Sequence, residues 1–130
     1  MNRPTAIKTL RAIARTTFES LPLAARKTLN GVQVYRANLG YTTKGRKILG
    51  TARSDGRVVL LDTDTLERYA DRPGRLETLL AHELAHCYRT LTGVADTDER
   101  REERATNRLL KSWGFRPADL NKFEEMPCKP

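Results

Sequence analysis

The sequence predicts an α+β fold in which a small sheet carries helices packed on it. Three observations lead there. Apolar residues recur at helical spacing at both ends of the chain, and the middle is β-branched and alternating around a tight turn. The resulting order of elements is helix, helix, three strands, helix, helix, which suits a single small sheet with helices laid over it.

Each element has its own signal. Ile7, Leu10, Ile13, Ala14 and Phe18 predict a first helix over 5–20. Pro22 opens a short second helix that ends near Leu29, with Asn30-Gly31 as the stop. Val32-Gln33-Val34-Tyr35-Arg36 alternates as a strand does. Lys47 to Ala52, the turn Ser54-Asp55-Gly56, and Arg57 to Leu61 form a β-hairpin pattern. Thr63 to Tyr69 reads as a short helical connection. Asp71-Arg72-Pro73-Gly74 then introduces a helix over 74–92, which Gly93 terminates. A final helix over 97–113 ends at Trp113-Gly114.

Composition narrows the class. At 130 residues, 38% hydrophobic and 31% charged, the chain is expected to form a single ordered domain, 1–130, and to be monomeric. No apolar run approaches the ~20 residues of a membrane span. Arg3, Lys8, Arg11 and Arg15 precede no long apolar stretch, so the N-terminus predicts an amphipathic helix rather than a secretory signal or transit peptide. Two cysteines do not make a disulfide scaffold and suggest a reduced, cytoplasmic protein. Cys87 reads as a small buried residue, and Cys128 falls in a frayed tail, Met126 to Pro130. The net charge of +8 predicts nonspecific attraction to nucleic acid. Aromatic residues are too few for a stacking platform, so no dedicated nucleic-acid module is expected. Between Arg100 and Lys111 the basic residues alternate with Glu102 and Glu103, which predicts a solvated helix face laced by i,i+4 pairs.

Both histidines of the chain fall in His82-Glu83-Leu84-Ala85-His86. This H-E-x-x-H spacing sets two imidazoles one helical turn apart, facing one metal ion, with a carboxylate between them placed to take a proton from a water. At 100° per residue, Leu76, Leu80, Leu84, Cys87 and Leu91 form a core face, and His82 and His86 form another. Almost no solvating charge lies between Thr78 and Tyr88, so this helix is expected to be buried on both sides, its second face turned to a site. A catalytic Zn2+ needs three protein ligands and an open position. With no third histidine, the remaining ligand is expected from the next helix, and the candidates are Glu99, Glu102 and Glu103. Glu102 lies mid-face among Ala105, Thr106, Leu109 and Trp113. Glu103 lies nearer the edge, with Asn107 one turn on. Burial geometry alone favours Glu102.

The flanks Leu79, Leu80, Ala81, Leu84, Ala85, Cys87 and Tyr88 are uncharged, as is usual around the motif in zinc peptidases. The arrangement resembles that of gluzincins, and lacks the third histidine of metzincins and SprT-like proteins. Glu103-Arg104-Ala105-Thr106-Asn107-Arg108-Leu109-Leu110, running into Trp113-Gly114-Phe115, resembles the second signature of bacterial and phage metallopeptidases of the ImmA/IrrE type. The size resembles that of minigluzincins. The resemblance spans residues 57–115 and implies a zincin-like fold. It further implies Glu103 as the third zinc ligand, Glu83 as general base, and Asn107 as the group steadying a zinc histidine. The Leu-Leu-Met-Pro run common in the ImmA/IrrE group is missing, which points to a neighbouring phage-type family. By the same resemblance, a peptide substrate is expected to bind along the strand before the metal helix, Arg57 to Leu61. Tyr35, Tyr41, Tyr69, Tyr88 and the arginines all remain candidates for oxyanion donor. The alternative is a basic, DNA-associated regulatory protein that retains this fold with a non-catalytic metal site. Glu83 argues against that, because a purely structural site has no use for a carboxylate between its histidines.

Overall fold

The computed structural model describes residues 3–123. The elements are α1 (Arg3–Ser20), α2 (Leu23–Thr28), β1 (Gln33–Ala37), β2 (Gly50–Ala52), β3 (Val58–Asp62), α3 (Thr63–Arg68), α4 (Pro73–Leu91), α5 (Glu99–Ser112) and a 3-10 turn (Pro117–Lys122). This is the α+β, zincin-like topology expected from the sequence. The local signals act as predicted. Ala6, Ile13 and Thr17 of α1 are buried at helical spacing. Asp62 caps α3 by accepting from the Thr65 amide at 3.1 Å, and Asp98 caps α5 by accepting from the Arg101 amide at 2.9 Å. Gly93 ends α4 with φ 76°, a left-handed conformation that glycine adopts without strain.

The sheet has the order β1-β3-β2. β1 runs parallel to β3 with Val34 beside Val59, and β2 runs antiparallel to it with Thr51 beside Leu60. Val59 and Leu61 point into the core, while Tyr35 lies exposed on the other side. β3 is therefore the central strand. Its backbone groups are committed to β1 and β2, so the expected docking of a peptide along Arg57 to Leu61 does not hold. The edge strands are β1 and β2, and β2 is the one beside the cleft described below. That strand is also shorter than the hairpin pattern suggested. Lys47 leaves the ladder, places its ammonium 3.1 Å from the buried Asp62 carboxylate, and donates to the Leu39 carbonyl. Asp62 accepts from the Leu39 amide as well, at 3.0 Å. Satisfying this buried charge folds residues 38–49 into a tethered loop instead of a longer strand.

α4 is the centre of the molecule. It packs against α1, α5, β2, β3 and the 3-10 turn, which buries Leu76, Leu79, Leu80, Ala81, Leu84, Ala85 and Cys87. The 3-10 turn was not foreseen. Just past it, Phe123 sets its ring edge-on to buried Tyr69, 4.8 Å between centroids. Cys128 lies outside the described residues. The i,i+4 pairs expected on α5 do not form: four positions from Glu102 and Glu103 stand Asp98, Glu99, Thr106 and Asn107, none of them basic, and both glutamates turn inward. Arg100, Arg104 and Arg108 are left as a like-charge row spaced four apart. Among the described residues only Arg101 of that surface has an ion pair, with Asp96 at 3.1 Å.

Candidate metal centre

Because α4 is a regular helix, His82 and His86 stack one turn apart, with ring centroids 4.8 Å from each other. α5 crosses over them and lowers Glu103 onto both rings. Glu103 Oε1 lies 3.1 Å from His86 Nε2, and Oε2 lies 3.7 Å from His82 Nε2. One ligand atom from each of the three residues falls within 4.8 Å of the others. Donors around one tetrahedral zinc, at bond lengths of ~2.0–2.2 Å, sit roughly 3.3–3.6 Å apart. Two imidazoles and a carboxylate converge closely enough to hold a single ion once the widest of these separations draws in. The cluster is graded in exposure: the side chains of His82, His86 and Glu103 are 12%, 23% and 53% exposed, so it opens to solvent on the Glu103 side.

The other carboxylates sit elsewhere. Glu102 is held by Arg89, whose Nε lies 3.1 and 3.0 Å from its two oxygens, and by the Asp96 amide at 2.8 Å. It faces the Nδ1 side of His86, away from the ring nitrogens that converge with Glu103. Glu99 is exposed in the first turn of α5 and takes no part in the cluster. Asn107 Oδ1 and His82 Nδ1 are both buried without a hydrogen-bond partner.

Burial pulls His82 down to about 4, helped by the charge of His86 and opposed by Glu103, so its imidazole is neutral near pH 7 and available as a ligand. Burial works in the same direction on His86 but is overcome by the Glu103 hydrogen bond and by the charges of Glu83, Glu103 and Glu102, and His86 moves up. The hydrogen bond from His86 holds Glu103 below the usual carboxylate range against its partial burial, with the two imidazoles adding to the effect. Glu83 is 7% exposed, and burial pushes its carboxyl up to about 7; His86 opposes that shift and Glu103 adds to it.

These groups line a cleft of about 390 Å³, walled by β2 and the Arg53-Ser54 turn on one side and by Thr90, Ala95 and Glu102 on the other. Gly50 is the residue that sequence reasoning missed. A Cβ there would meet Leu61 Cδ2 at 3.0 Å and Glu83 Cγ at 3.4 Å, so its bare backbone lets β2 close over Glu83. A glycine interrupting a strand pattern was the available signal. None of the four candidate tyrosines lines the cleft. Tyr35 bonds Gln33 on the sheet's outer face, Tyr41 lies beneath Lys47, Tyr69 packs on Phe123, and Tyr88 on Trp113. Among the described residues, Arg53 is the one arginine on the cleft wall.

Fold and cluster together define a zincin-like protein with a candidate metal site of two histidines and a glutamate. No known family profile matches the chain, and neither a curated protein nor a solved structure is significantly similar to it. Among the described residues no helix is long and apolar enough to cross a membrane.

Proposed function

We propose that this chain is a zinc-dependent metallopeptidase of the gluzincin type, related in character to the ImmA/IrrE and minigluzincin groups its motifs resemble. The observation that carries the proposal is a buried carboxylate, Glu83, set between two histidines that converge with Glu103 on an open cleft. His82, His86 and Glu103 would hold Zn2+. When bound there, the ion supplies Lewis acidity toward a water and a substrate carbonyl. Glu83 takes the proton of the attacking water and returns it to the leaving amine, and a carboxyl poised near 7 suits both transfers. The free edge of β2 offers backbone groups for an extended peptide, which would add as a further strand beside the cleft. The resemblance would have Asn107 steady His82, but Asn107 Oδ1 and His82 Nδ1 are each without a hydrogen-bond partner, so no bond joins them.

Metal analysis of the purified protein tests the proposal. Wild type and Glu83→Gln retain about one equivalent of zinc. His82→Ala and Glu103→Ala fall to background, and Glu99→Ala is unaffected. A folded wild type that stays metal-free when zinc is added removes the enzyme reading.

The unpaired row of Arg100, Arg104 and Arg108 favours a second reading, a polyanion-binding surface on α5. Like charges at i,i+4 cost a helix about 0.2–0.5 kcal/mol per pair, a cost that bound phosphates would offset. Duplex DNA affinity should then fall steeply with salt, and an Arg104→Ala, Arg108→Ala double variant should lower the log–log slope by about 2. A slope unchanged by the double variant removes this second reading.

A further inference from the structure

Glu102 is next to the proposed ligand in sequence, yet its carboxylate serves the opposite edge of the same imidazole. His86 Nδ1 lies 3.3 Å from Thr106 Oγ1 and 3.6 Å from Glu102 Oε2. Thr106 is fully buried, and its hydroxyl is 3.2 Å from Glu102 Oε2. A hydroxyl has one hydrogen to give, and an ionised carboxylate only accepts. The Thr106 hydrogen therefore points at Glu102, and the Thr106 oxygen is left to accept from His86 Nδ1–H.

Glu102 cannot turn away from this task. Arg89 Nε grips both of its oxygens, the Asp96 amide holds Oε1, and Arg89 Nη2 is itself tied to the Val94 carbonyl at 2.9 Å. The end of α4, the loop after it and the start of α5 thus converge on one carboxylate. Arg89 Nε and the Asp96 amide both donate to the carboxylate, so Glu102 meets Thr106 as an acceptor. His82 has no counterpart, since its Nδ1 is buried and unpartnered.

We infer that Glu102, acting through Thr106, is a positioning carboxylate that locks His86 as the Nδ1–H tautomer and aims its Nε2 lone pair at the metal site. The inference rests on the zinc reading above for its consequence, and on the hydrogen-bond chain for its geometry. The ring nitrogen opposite a metal is commonly fixed by such a partner, and losing the partner typically weakens metal binding 10- to 100-fold.

The test uses full-length Thr106→Val, Thr106→Ser and Glu102→Gln with two readouts: zinc affinity by chelator competition, and the hydrogen bond of His86 Nδ1–H by proton–nitrogen NMR. The NMR is done on zinc-loaded protein, because in the metal-free protein His86 Nε2 is engaged with Glu103 Oε1 at 3.1 Å. Thr106→Val keeps the shape and deletes the hydroxyl, so it should bind zinc about 10- to 100-fold more weakly and lose the downfield, slowly exchanging Nδ1–H signal. Thr106→Ser keeps the hydroxyl and should restore both. Glu102→Gln turns an amide donor toward Thr106 and should weaken binding to a similar degree, which covers the case in which Thr106→Val fails to fold. Wild-type affinity and a wild-type Nδ1–H signal in Thr106→Val, or in Glu102→Gln if only that folds, overturn the inference. A wild type that takes up no zinc, yet with His86 doubly protonated shows a protected Nδ1–H that Thr106→Val loses, overturns the zinc reading and leaves the positioning chain standing.

Discussion

Glu83→Gln is expected to lower peptide hydrolysis by the zinc-loaded protein about 10²- to 10⁴-fold, the usual contribution of a positioned general base. The size of the loss follows from where Glu83 sits. It lies on the cleft wall beneath Gly50 and is absent from the three converging ligand groups, so it is free to exchange a proton. Glutamine keeps the volume and a carbonyl acceptor but cannot take up the proton of the attacking water. Zinc content should stay at the wild-type level, which separates a lost base from a lost metal. The measurement is the turnover of fluorescently labelled casein by matched zinc-loaded samples, with metal content determined on the same aliquots. A variant that retains wild-type turnover rules out Glu83 as the base.

The elements of the fold were legible because each is written in adjacent residues. The leucine spacing of α4, the alternation of β1 and the Gly93 stop are local signals, and the structure uses them locally. What escaped the sequence was every question answered by a partner on another element. The helical wheel placed Glu102 on the buried face of α5, and buried it largely is, with its side chain 13% exposed. A wheel cannot show that Arg89, thirteen positions earlier and on α4, occupies that carboxylate. Nor can it show that the edge position of Glu103 is the one that reaches both imidazoles. The order β1-β3-β2 is similarly nonlocal: the strand just before α4 in sequence is central in space, so the edge beside the cleft comes from the strand before it. The charge ladder expected on α5 was never open to Glu102 and Glu103, which have no basic residue four positions away, and both pair across to α4 instead.

The same burial that prepares Glu83 for proton transfer should make it costly to the metal-free fold, and Glu83→Gln should expose that cost as a gain in stability. Its folded pKa is raised to about 7 from an ordinary 4.5. Between those values the folded state holds the proton while the unfolded state has released it, so stability falls as pH rises through that window and is lowest above it. At pH 8 the penalty is on the order of 3 kcal/mol, from about 1.4 kcal/mol per pH unit of displacement. Metal-free Glu83→Gln should therefore be about 3 kcal/mol more stable than wild type at pH 8, with the gain fading to near zero by pH 4.5. His82 titrates in an overlapping range in the opposite sense, but it is common to both proteins and largely cancels in the difference. Denaturant midpoints of chelator-treated wild type and variant across this pH range give the measurement. Adding zinc should shrink the gain, because a cation beside Glu83 favours its ionised form. A difference that stays flat with pH would show that the carboxylate is not desolvated by the fold, and would remove the physical basis for its poised proton.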